Sequence, residues 1–502
     1  MSTLSELLPS GGGGSTVDFV ASGTLPNGKP VILKTDGTVE VVGESSTAVA
    51  ESIPAGSEVV FNSTGSTDYV SSAFDPNTAG KFVVAYRDFA DSGYGKAIVG
   101  TVSGTSISFG TEVIFNSGNT IYISLSFDPN TVGKLVVAYQ DNDNLQYGTS
   151  VVGTVSGTTL SFGSEVVFNS GNSQFISVSF DPNTTNKFVV VYNDGGNATY
   201  GTAIVGTVSG TTISFGSEYV FNSAISYYHS VSFDPNTAGK FVVGYRDEGN
   251  AAYGTAIVGT VSGTTISYGS EYVFNSAESN YNSISFDPNN VGKFVVTYSD
   301  NGNSMYGTAI VGTVNGTTLS FGSEYVFNSG TTEDTSVSFD PNTTGKFVVV
   351  YKDVGNSYYG TAIVGTVSGT SVSFGTEYVF NSGQSVYNSI SFDSNTTGKF
   401  VVAYQDASNA NYGTAILGQM GSTVSTTNLT TSNFVGTSTK AYTNAETATI
   451  AIQGGLSTNQ TGLTIGSTYY VQEDGTFATT ADTISVNAGK ALSATTLLLK
   501  DL

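Results

Sequence analysis

The 502-residue sequence has no cysteine, no tryptophan and one histidine, and its 16 Lys and Arg are outnumbered by 39 Asp and Glu. Without cysteine there is no disulfide, no thiolate metal site and no cysteine nucleophile. The single histidine, His229, excludes a His-rich metal centre and argues against a Ser-His triad. So few basic residues argue against nucleic-acid binding, which needs Lys and Arg to neutralise phosphates. They argue equally against a polybasic membrane patch. No run of about 18 apolar residues occurs, so no transmembrane helix is expected. The opening MSTLSELLPSGGGG has neither a basic n-region nor an apolar h-region and does not read as a secretory signal. Charged residues make up only 11%, and Gly fills 61 positions. Long charged helices are therefore not expected, because Gly is costly inside a helix and straight-chain helix formers are scarce.

What is abundant favours strands: Tyr and Phe make up the 12% aromatics, with many Val, Ile and Thr beside them. Self-comparison then decides the fold. The phrase F-D-P-N-T-x-G-K-F-V-V-x-Y recurs with Phe at 74, 127, 180, 233, 286, 339 and 392, each step 53 residues. The phrase Y-G-T-A-I-V-G-T-V-S-G-T recurs at the same interval from Tyr94 to Tyr412. A third phrase, ending F-N-S, carries Glu58, Glu112, Glu165, Glu218, Glu271, Glu324 and Glu377. One unit holds four strand-like runs, punctuated by Gly, Asn, Asp and Pro. In the fourth copy these are 228–233 (A), 240–247 (B), 254–261 (C) and 265–274 (D), the last equivalent to 212–221. Four antiparallel strands in about 50 residues is the signature of a β-propeller blade. An immunoglobulin-like array needs about twice the length per unit.

The expected fold is therefore all-β, a seven-bladed β-propeller over residues 51–420. The seventh copy stops after Met420 without its D strand, and residues 51–62 (ESIPAGSEVVFN) match the missing strand. That segment is expected to close the last blade and remove the open edges. Residues 1–16 read as a docking peptide and linker, 17–50 as a β-hairpin module and 421–502 as a C-terminal β domain. Leu4, Leu7 and Leu8 fall at helical spacing beside a glycine run and are the candidate partner-docking residues.

Charges repeated seven times, the Glu series above and the Asp of F-D and Y-x-D, read as turn caps or surface pairs. Function is sought where the copies differ. The A–B turn (DPNTxGK) and C–D turn (SGT) barely vary, whereas the B–C and D–A connections vary in every copy. The D–A connections end at Tyr69, Tyr122, Phe175, Tyr228, Tyr281 and Tyr387, with Asp334 after Glu333 in the sixth copy. Such a rim suits carbohydrate, since rings stack on sugar faces and amides bind hydroxyls. Arg87 and Arg246 stand just before B–C loops as candidate anion contacts, and His229 lies beside Tyr228. The alternative is that these rings staple neighbouring blades. No catalytic residue, metal site or cofactor is expected. Asp141-Asn-Asp143-Asn lacks the Gly and distal Glu of a calcium loop.

Outside the repeats, Gly28 to Asp36-Gly37-Thr38 is echoed by Gly466 to Asp474-Gly475-Thr476 at the same spacing. The stretch NFVGTSTKAYTNAETATIAIQGGLSTNQTGLTIGSTYYVQEDGTFATT…VNAGKALSATTLLL resembles a module in virion and tail-fibre-like proteins of marine bacteriophages, cyanophages especially. The opening LSELLPSGGGGSTVDFVASGTLPNGKPVILKTDGTVEVV resembles the start of the same kind of protein. The resemblance implies a structural virion component at the host-contacting periphery, with other virion proteins as partners; the opening without a secretory pattern fits synthesis in the host cytoplasm before exposure on the particle. The expected function is then a fibre or appendage protein whose propeller binds a host-surface glycan or receptor in host adsorption. The alternatives are a glycan-active propeller enzyme and a structural decoration without ligand. Neither nucleic-acid binding nor membrane insertion is expected, and the oligomeric state is left open.

Overall fold

The computed structural model describes residues 16–500, so the segment with Leu4, Leu7 and Leu8 lies outside the described residues. The chain divides into two compact units, one from residues 50–422 and one from both ends of the chain. No described helix is long and apolar enough to cross a membrane.

The repeat unit is one antiparallel sheet of 24 strands. Each copy forms as its residues dictate. In the A–B turn the Asp of F-D accepts from the Asn N–H two residues on, as Asp234 does from Asn236 at 2.9 Å. The G-K lysine reaches across to strand C, as Lys240 Nζ does to Thr260 Oγ1 at 2.8 Å. The Tyr of strand B is fully buried and donates its hydroxyl to the template Glu of strand D, as Tyr245 does to Glu271 at 2.6 Å. The repeated charges are thus built into turns and strand pairs. Gly259 of strand C has Phe241 against its backbone; a Cβ there would lie 2.0 Å from that ring.

Two further sets of contacts link one copy to the next. Ring pairs join the Phe of F-N-S to the strand-B Tyr of the following copy, as in Phe168–Tyr192 at 5.1 Å. Main-chain N–H groups of one A strand donate to a serine of the preceding one, as Val231 does to Ser177 Oγ at 3.2 Å. Both sets return to the beginning of the unit. Phe61 lies 5.1 Å from Tyr86, Tyr404 donates to Glu58 at 2.8 Å, and Ser72 N–H donates to Ser389 Oγ at 2.9 Å. The strand Val59–Asn62 pairs with Tyr412–Gln419, with Val59 opposite Ala415 and Asn62 opposite Gly413. That is the register of Tyr219 opposite Ala203 and Asn222 opposite Gly201 in an interior copy.

Strands D and A, read as separate runs, are continuous in the later copies, as in Thr212–Phe233. The strand changes partner midway: Tyr200 pairs with Ile225, and Ser226 pairs with Asp247 of the next copy. Asn222 stabilises the crossing by accepting from Ala224 N–H at 2.9 Å and donating to Asp247 Oδ1 at 3.0 Å.

The terminal unit holds two five-stranded sheets of one topology. The first runs Thr16–Val20, Thr447–Ala451, Phe434–Ser438, Pro30–Leu33, Val39–Val41. The second runs Leu456–Ser457, Thr496–Leu499, Val486–Ser493, Thr468–Val471, Phe477–Ala478. Counted along the chain, each order is 1-5-4-2-3. Registers coincide as well. Leu33 faces Val39 across one Asp-Gly-Thr turn and Val471 faces Phe477 across the other. Val31 faces Gly436 and Tyr469 faces Gly489, and each pairing shifts at the following residue. Both glycines are needed, because a Cβ would meet the carbonyl oxygen of Ala451 or Leu498 at 1.9 or 2.0 Å. The terminal segments, expected as separate modules, are therefore interleaved. Residues 17–50 supply three strands of the first sheet, and Val435, Ala448 and Ile450 complete the core around Leu25 and Val31.

Candidate functional site

The residue that begins each A strand is re-aimed by a bulge. Register shifts fall between Asp68 and Ser71, between Tyr227 and Ser230, and at the equivalent place in every copy. The bulged residues are Tyr69, Tyr122, Phe175, Tyr228, Tyr281, Asp334 and Tyr387, all with φ between 50° and 55°. A left-handed backbone is uncommon for a bulky non-glycine residue. Bulges of this kind recur where a side chain must point somewhere particular.

These seven residues line one cavity of about 320 Å³, a size ordinary for a small-ligand site. Six of them form a continuous arc of rings. Centroids are 5.2 Å apart for Tyr387–Tyr69, then 5.4, 5.1, 5.3 and 5.1 Å through Tyr122, Phe175, Tyr228 and Tyr281. Asp334 fills the remaining place. The rings are half-buried and tilted against their neighbours, so they do staple adjacent copies while lining the cavity. Burial pushes the Tyr122 phenol up to about 12, so it stays neutral in ordinary buffers.

These seven positions form a collar, and the residue after each forms a second layer of the lining: Val70, Ile123, Ile176, His229, Asn282, Thr335 and Asn388. Only His229 was singled out by sequence reasoning. It is not a rim residue, being 8% exposed. Its ring nitrogens contact Ser226 Oγ at 2.8 Å and the Phe175 carbonyl at 3.1 Å. Burial pushes its pKa down to about 4, so it is neutral at pH 7. Asn282 and Asn388 were missed, although the contrast between copies that exposed the collar applies one residue further on.

The arginines do not stand ready for an anion. Arg87 is paired with Asp68. Arg246 is held by Glu248 at 2.5 Å and Glu278 at 3.1 Å. Carboxylates already neutralise both guanidiniums, which instead lie over collar rings, Arg87 5.1 Å from Tyr69 and Arg246 5.3 Å from Tyr228. Glu333 and Asp334 share one lysine, Lys352, at 2.6 and 3.6 Å. Burial raises the Asp334 carboxyl from its ordinary value, and Lys352 opposes that rise. In the Asp141 loop, the Asp141 carboxylate accepts the N–H groups of Asp143 and Asn144 and so caps its own turn.

No family matches the chain, and no curated protein does. Among solved structures it is similar to Sqt1 from Chaetomium thermophilum, with TM-score 0.44 and 12% identity over 74% of this chain and 100% of that one. It is also similar to Sqt1 from Saccharomyces cerevisiae, with TM-score 0.43 and 10% identity over 72% and 97%. A third is the NanB sialidase from Streptococcus pneumoniae, with TM-score 0.43 and 11% identity over 72% and 70%. Likeness at this level assigns neither a ligand nor an activity.

Proposed function

We propose that residues 50–422 form a seven-bladed propeller whose collar binds a carbohydrate, and that the chain is a host-contacting fibre or appendage protein of a bacteriophage particle. The observation that carries the binding reading is the convergence of six aromatic side chains and one carboxylate, one from each repeat, on a single cavity. Rings give apolar faces for the C–H side of a sugar, and the second layer adds amide and hydroxyl groups. The propeller reading is supported by the contacts that return from the seventh copy to the first, through Tyr404–Glu58 and Ser72–Ser389. The virion reading rests on the resemblance of the terminal segments.

Binding is favoured over hydrolysis by the carboxylates. Glycosidases generally place two of them on either side of the bond to be cut. Here Glu333 and Asp334 are adjacent in the chain and tied to one lysine. A glycan array with the full chain, followed by product analysis, tests the reading. Saturable binding without released sugar is expected. Cleavage products would make the protein an enzyme, and a blank array would leave the collar as packing alone.

A further inference from the structure

The polar atoms of the cavity are not spread evenly around it. Numbering the stations by repeat, the second layer at stations one to three is Val70, Ile123 and Ile176, wholly apolar. His229 at station four has partners for both nitrogens. Thr335 at station six donates to the Tyr281 carbonyl at 2.5 Å. Asn282 at station five and Asn388 at station seven are different. They are 7% and 8% exposed, and neither amide oxygen nor amide nitrogen of either has a hydrogen-bond partner. Between them, Asp334 Oδ2 also lacks one, its 3.6 Å from Lys352 Nζ being an ion pair beyond hydrogen-bond reach. Every unpartnered buried polar atom among the lining residues therefore belongs to this one sector. Buried polar groups are nearly always paired, and a cluster of exceptions facing one cavity is where a polar molecule, water or ligand, completes the bonding.

The chemistry of the sector narrows what that occupant is. It offers three acceptor oxygens that receive no hydrogen bond: Asp334 Oδ2, Asn282 Oδ1 and Asn388 Oδ1. A primary ammonium carries three N–H donors and no acceptor. Glu333 and Asp334 are balanced by Lys352 alone, which leaves one negative charge over. The other six stations present aromatic rings, whose faces attract cations. A hydroxyl would bring one donor where three acceptors wait, and an anion would meet the uncompensated carboxylate.

We infer that the cavity takes an amino sugar with a free primary ammonium group, seated between Asn282, Asp334 and Asn388. The inference rests on the carbohydrate reading above and specifies it. The two Asn amide nitrogens are then left to donate to neighbouring sugar hydroxyls, and the sugar's C–H face meets the rings.

The test is titration calorimetry of the full chain with β-1,4-linked tetramers of glucosamine, glucose and N-acetylglucosamine, which differ only at the second carbon of each ring. The chain's charge of −23 attracts any polycation non-specifically, so each titration is repeated with Asp334→Tyr. That variant installs the residue found at five other stations on a backbone of the same φ. Should it not fold, Asp334→Asn serves, with circular dichroism and melting as the check. The glucosamine tetramer is expected to bind at least tenfold more tightly than the other two, and to lose that advantage in the variant. Equal affinity for all three tetramers, or a preference that survives Asp334→Tyr, overturns the ammonium site and leaves the carbohydrate reading standing. No binding of any tetramer together with a blank glycan array overturns both; binding of the glucose or acetylated tetramer alone overturns only the ammonium site.

Discussion

His229 occupies a position that three other copies fill with Val or Ile, and it is accommodated there as a neutral ring. The consequence is a pH dependence with a definite sign. In the unfolded chain the imidazole titrates near 6.5, whereas burial holds it near 4 in the folded protein. Below pH 6.5 the unfolded state therefore binds more protons than the folded one, and stability falls with pH until about 4. For such a shift the loss is about 2 kcal/mol by pH 5 and about 3 kcal/mol at saturation. Carboxylates titrate in part of the same range, so the measurement is a comparison. Urea unfolding of the chain and of His229→Ile at pH 7 and pH 5 should show the variant losing about 2 kcal/mol less. Parallel losses would mean that the ring is not shielded from protons. At this scale the sequence is informative only where a position repeats. The collar was legible because six copies carry a ring, and the template Glu because seven do. Asn282 and Asn388 were not, since their position holds Val, Ile, His, Asn and Thr in turn, with no shared chemistry to mark it. Arg87 and Arg246 were legible as charges but not as pairs, because Asp68 and Glu278 reach them across a strand or from the next copy.

Strand positions were readable from β-branched residues and turn punctuation, but the D–A connection was not. Its Asn, Ser, Gly and Ala residues have loop composition, yet the Asn side chain satisfies the turning backbone and the strand passes directly from one partner to the next. The same ladder predicts how the short strand Val59–Asn62 behaves. Phe61 packs on Tyr86 at 5.1 Å and Phe109 at 5.7 Å. In an interior copy Phe168 packs on Tyr192 at 5.1 Å and Phe215 at 5.8 Å. In a closed ring the two phenylalanines occupy equivalent sites, so Phe61→Ala and Phe168→Ala should each cost about 3–5 kcal/mol and agree within error. In an open array the end strand would fray, and Phe61→Ala would cost far less. Chemical denaturation of the two variants separates these cases without removing the first strands of the terminal sheet, which any deletion through residue 62 would also destroy.

At the scale of the whole molecule, the matching sheets of the terminal unit explain where the repeat unit lies in the chain. In the second sheet the third strand, Phe477–Ala478, reaches the fourth, Val486–Ser493, through residues 479–485. In the first sheet the same connection, from Val39–Val41 to Phe434–Ser438, runs through residues 42–433 and contains the entire repeat unit. The Gly28 and Gly466 hairpins were a visible sign of this duplication, but their partner strands were not, because the first sheet is completed from residues some 400 positions away. The repeats thus stand in a loop of a module that, in its second copy, closes with seven residues. A loop of that kind is where a domain insertion is tolerated. The described core of the terminal unit is built from its own residues: Ile32, Val42, Leu429 and Phe434 pack with Tyr469, Val471, Val486 and Leu497. Removing residues 50–422 and joining 49 to 423 through a short Gly-Ser linker should therefore leave a chain of roughly 130 residues that folds alone. It should give a strand-rich circular dichroism spectrum and a single cooperative melt. The complementary chain, residues 50–422, should also fold, since Val59–Asn62 and Tyr412–Gln419 pair within it. An excised terminal chain that stayed unfolded would show that the two sheets depend on the repeats, and would undo the reading of the repeat unit as an insertion.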